Sequence, residues 1–100
     1  MSVCRHFLIE GLVQGVGFRF FVLREAKNLK LDGWVRNLLD GRVEVLVQGS
    51  EKTIETLMAK LRKGPLTSRV ENLTFEEVGL QGSLSDFTIE LDGDVPCQFD

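Results

Sequence analysis

Between residues 11 and 19 the apolar positions of this chain stop recurring every second residue and begin recurring every third or fourth. A period of two belongs to a strand and a period near 3.6 to a helix. The stretch Gly11-Leu12-Val13-Gln14-Gly15-Val16-Gly17-Phe18-Arg19 therefore predicts a strand that turns through Gly15 and Gly17 into a helix. Such a turn leaves several backbone N–H groups unpaired and aimed one way, with the positive end of the helix dipole behind them, and it attracts anions. Arg19, in the first helical turn, adds a fixed charge whose planar fork suits phosphate oxygens. Taken alone, the same residues also fit a plain glycine turn with a solvated arginine.

The elements on either side follow from the same periodicities. Residues 6–13 read as a strand with Phe7, Ile9, Gly11 and Val13 on one face and His6, Leu8, Glu10 and Leu12 on the other. His6 then faces solvent or a second packed layer, with no chemistry assigned. From Phe18 to Lys30 the stripe Phe18, Val22, Ala26, Leu29 marks a helix, ended by Asp32-Gly33. Residues 33–38 form a second strand, with Val35 and Asn37 on one face and Trp34 and Arg36 on the other. Asp40-Gly41 is a hairpin signal. In the strand over residues 42–48, Val43, Val45 and Val47 face a core, whereas Arg42, Glu44 and Gln48 are expected to face water.

Ser50 is a plausible N-cap for a second helix whose stripe is Ile54, Leu57, Met58 and Leu61. Lys60, Arg62 and Lys63 complement its carboxyl end, which Gly64-Pro65 stops. A fourth strand is expected over residues 69–79, and a short fifth around Phe87, Ile89 and Leu91. Strand, helix, hairpin, helix, strand is the split βαβ plan of an α+β, ferredoxin-like sandwich. It carries an antiparallel sheet of four to five strands and two helices on one face. That fold hosts many unrelated activities, so it assigns none.

The 100 residues make one domain, taken as residues 1–91, with an acidic irregular tail over residues 92–100. A net charge of −3 and a pI near 5.1 argue against general nucleic-acid binding while leaving room for a local anion pocket. No stretch has the length of a membrane span, and the amino terminus lacks the pattern of a secretion signal. Cys4 and Cys97 have no metal-ligand spacing and read as free thiols of a cytoplasmic protein. With one histidine, neither a metal nor a cofactor site is expected. A monomer is the default.

Two separated patterns make the sequence resemble the acylphosphatases. Gly11 through Arg19 fills G-x-V-Q-G-V-x-F-R. Gly33-Trp34-Val35-Arg36-Asn37, then Gly41, Val43 and Gly49, fill the second signature. The likeness runs over residues 5–90 and implies the ferredoxin-like fold reached above. It departs from the family pattern at Leu38, at Phe87-Thr88-Ile89-Glu90, and in the ten residues beyond. The resemblance implies hydrolysis of small-molecule acyl phosphates, with phosphate held by the backbone of Gln14, Gly15, Val16, Gly17 and Phe18 together with Arg19. It also implies that Asn37 orients the attacking water, and that no metal or cofactor takes part. The rival readings are a non-enzymatic anion-binding or regulatory module, a domain of a larger maturation enzyme handling carbamoyl phosphate, and a nucleic-acid-binding ferredoxin-like module. The acidic pI and the lack of alternating aromatics on an exposed sheet face weigh against the last. The length of the chain and its lack of a cysteine-rich region favour the small stand-alone form.

Overall fold

The structure is a computed structural model and describes residues 1–99. Seven elements follow in the expected order: β1 (Ser2–Leu12), α1 (Phe18–Asn28), β2 (Asp32–Asn37), β3 (Val43–Ser50), α2 (Glu51–Lys63), β4 (Arg69–Val78) and β5 (Phe87–Ile89). They form one five-stranded sheet in the order β4-β1-β3-β2-β5. Strand alternation puts Phe7, Ile9, Val35, Val43, Val45 and Val47 on one face. There they share a single core with Phe18, Val22 and Ala26 of α1 and Ile54, Leu57 and Leu61 of α2. Both helices thus cover the same side, as the ferredoxin-like plan requires.

The sheet is mixed where an antiparallel one was expected: β5 pairs with β2 in parallel, Gly33 opposite Phe87 and Val35 opposite Ile89. The reason is directional. Strand β4 is antiparallel to β1, β1 to β3, and β3 to β2, so β2 runs opposite to β4. A chain that reverses after β4 and lands beside β2 arrives already running the same way.

Element ends differ by a few residues from the sequence reading. Strand β1 starts at Ser2, because Ser2 through His6 pair with Leu46 through Ser50 of the long β3. Helix α1 stops at Asn28, and Lys30 takes a left-handed conformation (φ 57°) that turns the chain into β2. The second helix starts where its capping residue demands. The Ser50 side chain accepts a hydrogen bond from Thr53 N–H at 3.2 Å, satisfying one of the orphan donors of the first turn.

The face of the sheet away from the helices corrects a second expectation. Glu44 does not face water; it is fully buried. His6 Nε2 lies 2.6 Å from one carboxylate oxygen, the Arg36 Nε–H donates to the other, and Cys97 N–H donates at 2.7 Å. The Phe99 ring lies over His6 with centroids 5.0 Å apart. His6 therefore faces a second layer, which the chain beyond β5 supplies. Burial pushes the Glu44 carboxyl up, but the hydrogen bonds from His6, Arg36 and the Cys97 amide outweigh it and hold the group below the usual carboxylate range. Both cysteines are free, and burial pushes the Cys4 thiol up to about 11.

Candidate active site

The glycine joint is built as a cradle. Val13 is buried and roots the end of β1, while Gly15 and Gly17 adopt φ of 74° and 79°. That left-handed region costs a residue with a Cβ roughly 1–2 kcal/mol. A Cβ at either glycine would meet nothing within 4 Å, so backbone conformation and the open side of the loop, not crowding by protein, call for glycine.

Helix α1 starts directly from Gly17, with no side-chain cap and no acidic residue in its first turn. Most helices satisfy their first N–H groups with a Ser, Thr, Asp or Asn cap. Here those donors stay available beside the loop, which suits an anionic guest. Phe18 is buried beneath the helix start and packs on Phe21, ring centroids 5.9 Å apart, so the start of the helix is fixed in the core.

Two side chains lace the loop to the rest of the domain. Gln14 Nε2 donates to Leu38 O at 2.7 Å and to Arg42 O at 2.8 Å, tying the loop across the mouth of the β2–β3 hairpin. Thr67 Oγ1 donates to Val16 O at 2.7 Å from the connection between α2 and β4. The hairpin itself is stiffened by Arg42, whose Nε–H donates to Asp40 at 2.9 Å and holds that carboxyl below its ordinary range. The Gln14 side chain thus serves the backbone. Any contact of residue 14 with a phosphoryl group is left to its amide.

Asn37 ends β2, on the helix-covered face with Val35, as alternation predicts. It is nine-tenths buried, and no protein group donates to its Oδ1. Buried polar atoms nearly always have a partner. An orphaned acceptor at the end of a strand, one residue from the Gln14 tether at Leu38, is a feature that packing does not explain.

Arg19 projects from the first turn of α1, 37% exposed, at the edge of an open cleft of about 670 Å³ lined also by Ile89, Glu90, Leu91 and Asp92. Its Nη1 lies 3.5 Å from Asp92 Oδ1. The next residue, Gly93, donates its N–H to Asn37 O at 3.0 Å. Arg19 and Asn37, eighteen positions apart in sequence, are thus brought to consecutive residues of one segment, with the loop bound beside them. Sequence reasoning missed Asp92, Gly93 and Thr67 at this site. Nothing in an acidic, aperiodic stretch or a Ser/Thr connection marks a contact with residues over fifty positions away.

Comparison with known proteins agrees with this fold. A family model described as Acylphosphatase matches residues 5–89. The chain is 49% identical over 86 residues to an acylphosphatase of Koribacter versatilis (strain Ellin345), an overlap of 86% of this chain and 78% of that protein. The crystal structure of acylphosphatase from Bacillus subtilis superposes with a TM-score of 0.85 at 37% identity, covering 90% of this chain and 99% of that one. Full-length HypF in its phosphate- and nucleotide-bound form superposes at 0.86 and 32% identity over 94% of this chain, which spans only 12% of that larger protein. The matched segment runs from within β1 to the end of β5 and takes in the glycine loop, Arg19, Asn37 and Thr67, leaving only residues 90–93 of the site outside it. The chain belongs to the acylphosphatase family.

Proposed function

We propose that the protein hydrolyses the carboxyl-phosphate bond of acyl phosphates, with Arg19 and the amides of Gln14 to Phe18 holding the phosphoryl group and Asn37 aiming the water. The chemistry needs little else. The leaving group is a carboxylate of pKa about 4–5, which departs without a proton, so no general acid is required. Phosphoryl transfer through a loose transition state depends on positioning and on charge held around the equatorial oxygens. A guanidinium and a ring of fixed backbone donors supply that charge with no reorganisation at the moment of reaction.

Asn37 Oδ1 accepts a hydrogen bond from the water and orients the oxygen lone pair toward phosphorus. As the water oxygen bonds to phosphorus, the bond from phosphorus to the carboxyl oxygen breaks. The water's proton ends on the phosphate, since a carboxamide is no base at neutral pH. The observation that carries this reading is the buried, undonated Oδ1 of Asn37, on the strand end that Gly93 joins to the Asp92 partner of Arg19. Two free thiols suit a reducing, cytoplasmic setting. No helix of the described residues is long and apolar enough to cross a membrane.

Benzoyl phosphate, followed by ultraviolet absorbance, tests the assignment. The wild-type protein should turn it over and be inhibited competitively by inorganic phosphate. Arg19→Ala should lose both turnover and phosphate inhibition. Unaltered turnover in that variant would remove the mechanism.

A further inference from the structure

The chain beyond residue 91, set apart in the sequence as a tail, reaches both residues on which the proposed mechanism rests. Asp92 is held between two anchored points. Upstream, Glu90 N–H donates to Val35 O at 2.9 Å and continues the pairing of β5 with β2. Downstream, Gly93 donates to Asn37 O and accepts from Leu39 N–H, both at 3.0 Å. Farther on, Arg36 Nη2 donates to Val95 O at 3.1 Å, and Cys97 N–H reaches the buried Glu44. The Asp92 carboxylate therefore has a fixed origin, although it is itself half exposed.

Arg19 needs such a neighbour. A long side chain that is 37% exposed samples several rotamers. Freezing it when substrate binds would subtract from the binding free energy available for the transition state. A carboxylate beside Nη1 restricts those rotamers in advance and leaves the other guanidinium N–H groups for phosphoryl oxygens. It is the one ion pair Arg19 makes among the described residues.

We propose that Asp92 is a positioning residue for Arg19, and that residues 92–93 form a strap coupling the guanidinium to the strand end that carries Asn37. The inference rests on reading the site as a phosphoryl cradle. It also concerns residues beyond the segment that the family model matches.

The test turns on opposite signs. Asp92→Asn removes a negative charge beside an anion site. If Asp92 were only a neighbouring charge, its loss would lower KM and the inhibition constant for inorganic phosphate and leave kcat unchanged or raised. A positioning role predicts instead that kcat for benzoyl phosphate falls, by about three- to tenfold, because the guanidinium is no longer pre-aligned. Phosphate inhibition should stay within about twofold or tighten. The melting midpoint should match the wild type, since a half-exposed pair contributes little to stability. Asp92→Glu, which keeps the charge, should recover part of the lost kcat. An Asp92→Asn variant with wild-type or higher kcat, or an Asp92→Glu variant no better than Asp92→Asn, overturns the inference while an active wild type keeps the functional reading. A wild-type protein with no turnover overturns both.

Discussion

Replacing Asn37 with alanine should separate activity from stability. The Asn37 side chain is nine-tenths buried, and its Oδ1 has no protein donor. Alanine therefore breaks no protein hydrogen bond at that atom. It removes the packing of three side-chain heavy atoms, a loss of about 0.5–1 kcal/mol at ordinary dispersion and burial values. In a domain of this size the melting midpoint should fall by no more than about 8 °C. Turnover should fall much further. Losing the group that aims the water should lower kcat by about 10²–10³-fold, as losses of comparable positioning and polar groups do. Phosphate inhibition, which depends on Arg19 and the loop amides, should change by less than about threefold. Benzoyl phosphate kinetics, product inhibition and a urea titration measure all three. A variant that is destabilised by more than about 1 kcal/mol yet keeps its turnover would show that Asn37 is a strand-end residue satisfying the hairpin.

Two further outcomes concern pH. A site whose catalytic groups are a guanidinium, backbone amides and a carboxamide has nothing that titrates near neutrality. The kcat/KM of the wild-type protein should therefore be level from mildly acidic to neutral pH, and two steep limbs in that range would reveal an acid–base pair. Stability should behave differently because of Glu44. Its carboxyl titrates below the ordinary range in the folded protein, so its contribution is fully present above the unfolded glutamate value and is lost as pH falls through the lowered folded value. Glu44→Ala should cost about 3 kcal/mol at neutral pH, the low end for a broken buried pair because Arg36 keeps some solvent contact. The acid limb of a urea-melt series should flatten in that variant, and an unchanged limb would place the acid sensitivity elsewhere.

Much of the candidate site's backbone was legible because it is local. Gly15 and Gly17 announce left-handed backbone, and the jump in period at Phe18 marks where the helix dipole points. Alternation along Gly33, Val35 and Asn37 puts the asparagine on the helix-covered face without any knowledge of tertiary contacts. Glu44 was misjudged for an equally local reason. A charged residue alternating with three valines is the ordinary signature of a wet sheet face, and nothing nearby reports that a distant segment covers it. The role of the Gln14 side chain was open for the same reason, since its partners, Leu38 and Arg42, lie in another turn.

From its own residues the sequence determined the order of elements, the glycine joint between β1 and α1, and the family, since each depends on spacing within a few turns of chain. Tertiary structure decided the parallel docking of β5, the burial of Glu44 beneath residues 93–99, and the meeting of Arg19 with Asp92. Those contacts join residues more than fifty positions apart. Their free energies arise only when the whole sheet is assembled, so no local pattern of residues carries their signature.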